Sequence, residues 1–262
     1  MTTIIQSTNK LTFYIARMAE RGCSAAQVLA DTGLSLEEVQ AERFKPSPDH
    51  YRRVIRNMLD LTGDPYLGVA IGAEFKLSDL GVLGYAALSS SKLAQSRELF
   101  TKYDALVEHI ITPQSEISNN RWVTELTERF PLGDILPFAV EEFVSRTIGL
   151  AMSLTDQPFP VLELRLSYDQ PADLGAYQQR FNCPMLFNQP RSLVVWDINH
   201  LDDEISLAND EVFKLCEQQC QMLVNRLADE SLLSSTIRDA LVKSPGEFPS
   251  LEQMARRLKM GS

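Results

Sequence analysis

The apolar residues of this 262-residue chain change their period part-way along it. Up to about residue 111 they recur every three or four positions, as on one face of an α-helix. From about residue 115 they alternate with polar residues over short segments, as in half-buried β-strands. Further helical stretches follow, but strands and helices do not alternate in a βαβ rhythm. We therefore predict an α+β fold, a helix-rich domain with a small, mainly antiparallel sheet.

The elements are predicted from these periods. Long helices are predicted over residues 93–111, 135–154 and 209–227, with a shorter helix after Asp229-Glu230-Ser231, and residues 79–91 fit either a buried turn or a strand. A hairpin turn is predicted at Asn119-Asn120, because asparagine tolerates positive φ. The predicted strands are residues 115–118, 121–128, 162–168, 184–187 and 193–196, the last two around a turn at 188–191.

The charge of the chain excludes some functions. It has 25 Lys and Arg against 35 Asp and Glu, a net charge of −10. Duplex DNA and anionic membranes are bound through basic residues, so this composition disfavours both. There is no run of about 18 apolar residues and no secretory signal pattern, which predicts a cytoplasmic protein that does not enter a membrane.

Common catalytic and nucleotide-binding motifs are absent. The chain has no Walker loop, GxGxxG, GxSxG, HExxH or CxxC pattern. Cys216 and Cys220 are four residues apart on one helix, but no histidine or further cysteine is near them in sequence, and two small core residues explain them better. No metal site, no cofactor and no catalytic residue are predicted.

A small-molecule pocket is predicted between the sheet and the helices at 93–111 and 135–154. Arginines there could clamp a carboxylate, and a histidine near a helix end could face the ligand. A packed core explains the apolar residues equally well, and a solvated or salt-bridged side chain is the preferred explanation for the arginines. The candidate ligand-binding residues are Tyr85, His109, Trp122, Phe143, Arg146 and Arg165.

The helix at 209–227 is a candidate dimer interface. Val212, Leu215, Leu223 and Leu227 are its available apolar residues. A helix buried within one chain remains the alternative.

The last residues have the pattern of a helix-turn-helix. Leu251, Met254, Ala255 and Leu258 form one helix face, and Gly261 stands where the tight turn needs glycine. The second helix, which would read the bases, should begin at Ser262.

With this ending, the chain resembles the AraC-type transcriptional regulators. FPSLEQMARRLKMGS is similar to their first helix-turn-helix, and STIRDALVKSPGEF to the helix before it. The body resembles the effector domain of the arabinose-binding-like subgroup, in DLGVLGYAALSSSKLAQSREL, LRLSYDQPADLGAYQQRFNCPMLFNQPRSLVVWD and LDDEISLANDEVFKLCEQQC.

The resemblance implies a cytoplasmic regulator in two parts. Residues 1–228 would bind a small metabolite and form a homodimer, and residues 229–262 would begin a DNA-binding domain that is cut off here. Arg256, Arg257 and Lys259 would belong to its incomplete helix-turn-helix. The subgroup does not specify the effector, and the operator DNA would be bound only by the full-length protein.

Two other classes of function stay open from the sequence. A hydrolase would need a nucleophile near a base, such as Cys183 or Cys216 beside His109 or His200. A scaffold regulated only by protein contacts would have a solid core without a pocket.

The charge distribution predicts weak DNA binding by this chain. Residues 251–262 have one glutamate, Glu252, against Arg256, Arg257 and Lys259, a net of +2, which leaves −12 on residues 1–250. We expect no tight duplex binding in a gel shift with this chain, and binding by a full-length parent. Tight, sequence-specific binding by this chain alone would contradict the expectation.

Overall fold

A computed structural model describes residues 9–41, 44–118, 120–242 and residue 253. The predicted helix-turn-helix, with Arg256, Arg257 and Lys259, lies outside the described residues. Within them, no helix has both the length and the apolar composition of a membrane span.

The described residues contain ten α-helices. Several begin where the sequence supplies a cap: Ser24, Ser35 and Ser47 each accept a hydrogen bond from the backbone three residues on. The helices are α1 Lys10–Glu20, α2 Ala25–Val28, α3 Leu36–Gln40, α4 Pro48–Thr62, α5 Leu67–Ala73, α6 Val82–Leu88, α7 Leu93–Lys102, α8 Leu136–Thr155, α9 Gly175–Phe181 and α10 Asp210–Val242.

One five-stranded sheet accompanies them, in the order β1-β2-β5-β3-β4. All neighbouring pairs are antiparallel except β3 and β4, which confirms the predicted α+β fold with a mainly antiparallel sheet. Asn120, with φ of 58°, lies in the predicted turn between β1 and β2. The strands are β1 Ile111–Ser118, β2 Arg121–Glu128, β3 Val161–Arg165, β4 Met185–Leu186 and β5 Ser192–Trp196.

Two strand predictions are wrong in detail. The strands at 184–187 and 193–196 do not form a hairpin, because β3 lies between β4 and β5. The alternation of β3 is also interrupted by a register shift between Val161 and Glu163. Leu162 is therefore exposed while Val161 and Leu164 are buried.

The predicted helix at 93–111 is too long. Helix α7 ends at Lys102, a 3₁₀ turn covers Asp104–Leu106, and Ile111 already belongs to β1. The apolar residues in this region fit both periods, and pairing of β1 with β2 decides for the strand. His109 consequently lies in a connection and not on a helix.

Residues 79–91 are neither a turn nor a strand but contain helix α6. The chain enters α6 through Gly81, whose φ is 57°. Gly84 lies so close to the preceding segment that a Cβ there would be 1.9 Å from the carbonyl oxygen of Leu77. This helix packs against α10.

Helix α10 runs without a break from Asp210 to Val242. The predicted interruption at residues 229–231 is therefore wrong, since the backbone remains helical through them. The domain boundary at 228 stays a prediction.

Helices α5 and α8 form the closest helix pair of the core. A Cβ on Gly72 would lie 2.4 Å from the carbonyl oxygen of Glu142, and one on Gly68 would lie 2.5 Å from that of Phe138. Only glycine permits this approach of two backbones. Ser145 of α8 donates a hydrogen bond of 2.8 Å to the carbonyl of Val69 across the interface.

We expect Gly72→Ala to destabilise the protein by about 2 kcal/mol or more, because α5 must move away from α8. Gly149→Ala is the matched control, as its Cβ would meet only Arg180 Nη2 at 3.4 Å and Ala73 O at 3.9 Å. Alanine favours a helix interior, so this variant should be neutral or slightly more stable. Urea unfolding measures both, and equal stability of the two variants would contradict the close packing.

Candidate functional site

A buried ion cluster joins the start of α1 to α8. Lys10 Nζ lies 3.0 Å from Glu142 Oε1 and 2.9 Å from Oε2, and Arg146 Nη1 lies 3.4 Å from Glu142 Oε1. None of the three side chains is more than 6% exposed. We call Lys10, Glu142 and Arg146 the ion cluster.

A second carboxylate, that of Glu108, connects the start of α1 to α4 next to the ion cluster. Glu108 Oε2 accepts the backbone N–H of Lys10 at 2.6 Å, and its Oε1 accepts the hydroxyl of Tyr51 on α4. The beginning of α1, helix α4 and the segment before β1 therefore meet beside α8. Asn9 caps α1, accepting from the backbone of Leu11, and so sets where Lys10 lies.

Burial and charge act oppositely on the groups of the cluster. Burial lowers the pKa of Lys10 to about 8, although Glu142 opposes the shift. Burial by itself raises the pKa of Glu142, but the charges of Arg146 and Lys10 outweigh it and hold this pKa below its usual value. Glu142 is therefore the ionised partner of two cations.

Arg146 has unused hydrogen-bonding capacity. Its guanidinium lies 5.2 Å from the ring centre of Phe75 and 5.5 Å from that of Phe143. Among the described residues it donates no hydrogen bond; the 3.4 Å approach to Glu142 is an ion pair only. A guanidinium carries five N–H donors, so donors remain for a bound molecule.

Of the six buried polar atoms without a hydrogen-bond partner in the described part of the chain, two are close enough to the ion cluster to be affected by its charges. They are the hydroxyl of Tyr14, a fully buried residue, and Nδ1 of His109. Arg146 acts electrostatically on both groups. Such orphaned atoms are uncommon in a folded core and point to an unfilled interaction.

His109 is held by its other ring nitrogen. Nε2 lies 3.0 Å from Asp104 Oδ1. Burial lowers the pKa of His109, with the hydrogen bond to Asp104 opposing it, so the neutral ring is favoured. With Nε2–H donating to Asp104, Nδ1 is an acceptor.

The structure brings together three of the six predicted ligand-binding residues. His109, Phe143 and Arg146 lie at the ion cluster. Tyr85 is on α6 and is 43% exposed. Trp122 and Arg165 lie on strands of the sheet.

Trp122 and Arg165 have partners away from the cluster. Trp122 on β2 packs against Trp196 and Phe159, with the guanidinium of Arg97 5.8 Å from its ring centre. Arg165 Nε donates to Glu163 Oε1 at 2.6 Å at a partly exposed position of β3.

Three groups of this site were not predicted from the sequence: the side chains of Lys10 and Glu142 and the hydroxyl of Tyr14. Glu142 and Arg146 are four residues apart in a helix that is otherwise largely apolar. That spacing places opposite charges on one face and was an available signal. Nothing in the sequence pairs Lys10 with a residue 132 positions away.

Glu141, beside Glu142, faces a different environment. Its Oε1 accepts the hydroxyl of Tyr177 at 2.5 Å, and the hydroxyls of Tyr177 and Tyr168 lie 3.2 Å apart. Burial raises the pKa of Glu141 to about 7, with the hydrogen bond from Tyr177 opposing the shift. The group is thus close to half-protonated near neutral pH.

A surface cleft of about 330 Å³ lies at one end of the central strands β2, β5 and β3, and none of the six predicted residues lines it. It is lined by Asn120, Arg121, Leu162, Glu163, Val195, Trp196, Asp197, Ile198 and Asn199.

The cysteines lack the features of a nucleophile. Burial raises the pKa of Cys183 and of Cys220 to about 11, and it also raises that of Cys216. A catalytic thiol needs the opposite shift. His200 Nδ1 is 2.5 Å from Asp203 Oδ2, and no cysteine–histidine hydrogen bond occurs among the described side chains.

Comparison with known proteins gives the family. Residues 22–205 match the family described as the arabinose-binding domain of AraC transcription regulators, N-terminal. The chain belongs to this family. The match spans α2 to β5 and includes Glu142, Arg146 and His109; Lys10 lies before it.

Relatives of this AraC-type domain are named as regulators. The ornithine utilization regulator of Pseudomonas aeruginosa is 31% identical over 198 residues, which are 76% of this chain and 58% of the relative. An uncharacterized HTH-type transcriptional regulator of Mycobacterium tuberculosis is 23% identical over 253 residues, which are 92% of this chain and 72% of the relative. The chain thus spans 58% of the length of the first of these relatives.

A solved structure has a similar fold. It is the transcriptional regulator CdpR from Pseudomonas aeruginosa, with a TM-score of 0.61 and 18% identity over 98% of this chain and 77% of that chain.

We predict that Glu141 makes stability fall with rising pH. Its pKa is about 7 in the folded protein, against 4.5 as the ordinary value expected in the unfolded chain. The folded state therefore binds this proton more tightly, so its stabilising contribution is full below pH 4.5 and is lost as the pH rises through 7.

Glu141→Gln keeps an oxygen for Tyr177 but does not titrate. Its stability relative to the native chain should rise by about 3 kcal/mol between pH 4.5 and pH 8. Urea unfolding across this range measures the difference, with Glu116→Gln on the exposed part of β1 as the control. A difference that does not change with pH would contradict the shift.

Proposed function

We propose that the ion cluster and the groups around it form the effector site of an AraC-type regulator. The observation that carries the proposal is the set of buried, unused polar groups beside Arg146, in a domain of an effector-sensing family. A bound metabolite would supply the missing partners of Tyr14 and His109. The domain then acts by binding, with no catalytic step.

A chain of contacts supports transmission from this site to α10. His109 binds Asp104, and the turn Asp104–Leu106 contacts α10. Next to that turn, Lys102 Nζ lies 2.8 Å from Glu217 on α10. An effector that binds one arrangement of this turn more tightly would shift the position of α10, and with it the DNA-binding domain of a full-length protein.

The wider role rests on the relatives. We propose that a full-length protein containing this domain works in the cytoplasm and binds operator DNA through a helix-turn-helix domain beginning near residue 229. The ornithine utilization regulator makes ornithine a first compound to test as effector. Arabinose, from the family description, is tested beside it.

Effector binding is expected to raise the melting temperature of this chain. Binding to the folded state alone stabilises by about 2.7 kcal/mol at 100 times Kd. Thermal shift assays would screen sugars, amino acids, dicarboxylates and fatty acids, including L-ornithine and L-arabinose.

His109→Phe provides the site variant, because it keeps an aromatic ring but removes Nδ1 together with the Nε2–H that donates to Asp104. Its shift with an active compound should shrink, whereas Arg53→Gln on α4 should respond like the native chain. No stabilisation by any class, in a chain that melts cooperatively, would contradict the sensor proposal.

We also propose that α10 forms a homodimer interface. Leu215 and Met222 are one heptad apart and are 63% and 56% exposed, and Val212 beside them is also exposed. Leu223 packs into its own chain instead. Leu227 is less exposed than Leu215 and Met222, at 38%. The proposed contact therefore centres on Leu215, with Val212 and Met222.

Leu215→Glu should weaken self-association by at least about tenfold, because it places a charge in an apolar contact. Sedimentation over a range of concentrations measures the association. Asn225→Asp adds the same charge at another exposed position of α10 and serves as control. A native chain that stays monomeric at all concentrations would contradict the dimer.

A further inference from the structure

The ion cluster carries more positive than negative charge. Lys10 and Arg146 face the single carboxylate of Glu142, and Lys10 already occupies both oxygens of that carboxylate. Glu108 supplies a second negative charge close to Lys10, so the four groups together are balanced and the case for a ligand rests on the unused donors of Arg146. A guanidinium in the core that donates no hydrogen bond is unfavourable, so an acceptor such as a carboxylate would complete this arrangement.

The geometry of the unused N–H donors of Arg146 indicates which class of anion would fit. The guanidinium of Arg146 contacts the rings of Phe75 and Phe143, and these contacts restrict its orientation. The planar fork of a guanidinium matches a carboxylate in two parallel hydrogen bonds. The unpaired hydroxyl of Tyr14 is a further donor in the same buried region.

The other buried atom near the ion cluster without a hydrogen-bond partner is an acceptor and not a donor. Nδ1 of His109 is an acceptor when Nε2–H donates to Asp104. A ligand that satisfies it must carry its own N–H or O–H. Unused donors on Arg146 and Tyr14, together with an unused acceptor on His109, fit a molecule with both a carboxylate and a donor group.

We infer that the effector of this site is a small carboxylic acid with an amino or hydroxyl group, held by its carboxylate at Arg146. This inference rests on the effector site proposed above and names the chemistry of its ligand. A neutral sugar lacks the two carboxylate oxygens that match the guanidinium of Arg146. A simple amine would bring a positive charge next to two cations.

The test uses three pairs of probes that differ in the carboxylate. They are L-lysine and cadaverine, L-lactate and propane-1,2-diol, and succinate and succinamide; succinate has no donor group and so tests whether the carboxylate suffices. The 262-residue chain is labelled with ¹⁵N-arginine, and the side-chain signals are followed by NMR during titration. The signal of Arg146 is the one absent from Arg146→Gln.

We expect lysine or lactate to move the Arg146 signal to saturation, while its neutral or amine partner does not. Calorimetry should then show at least about a tenfold loss of affinity in Arg146→Gln, since a charged hydrogen bond is removed. Arg191→Gln, which alters an exposed pair with Glu125, is the matched control and should bind as the native chain does.

A second variant guards against misfolding. Arg146→Lys keeps the charge beside Glu142 but loses the fork, and it should bind the acid more weakly than the native chain and more tightly than Arg146→Gln. Equal affinity in all three proteins would overturn the inference, as would an Arg146 signal that responds to no carboxylate.

The outcomes separate this inference from the proposed function. If L-arabinose or another neutral compound stabilises the native chain and Arg146→Gln alike, the carboxylate inference is wrong and the sensor proposal stands. If no class of compound binds, both are contradicted.

Discussion

The contact between Lys10 and Glu142 connects the first described helix to the central helix of the domain. Both side chains are buried, and the lysine reaches both carboxylate oxygens. Removing one member of such a pair leaves a buried charge uncompensated, which typically costs about 3–5 kcal/mol. The cap at Asn9 and the contact of Glu108 with the backbone of Lys10 hold the start of α1 where this pair forms.

Two adjacent carboxyl groups of α8 show how location decides chemistry. Glu142 faces Lys10 and Arg146, which hold its pKa below the usual value against the effect of burial. Glu141 is turned toward Tyr177, and burial there raises its pKa to about 7. Successive residues of a helix point about 100° apart. Helix α8 can therefore direct an ionised carboxylate at Lys10 and Arg146 and a carboxyl group with a raised pKa at Tyr177.

The close approach of α5 and α8 keeps these two environments apart. Gly68 and Gly72 bring the backbones together, and Ser145 ties them by a hydrogen bond to Val69. Arg180 of α9 donates to Ser145 in turn.

Local periods and capping residues are enough to predict the fold class, the starts of the early helices and the existence of the long helix α8, because each depends on neighbours in sequence. Residue type and placement also singled out His109, Phe143 and Arg146. Tertiary contacts, in contrast, end α7 at Lys102, since pairing with β2 draws Ile111 into a strand. They also join Lys10 to Glu142, because a contact between residues 132 positions apart leaves no trace in any local pattern.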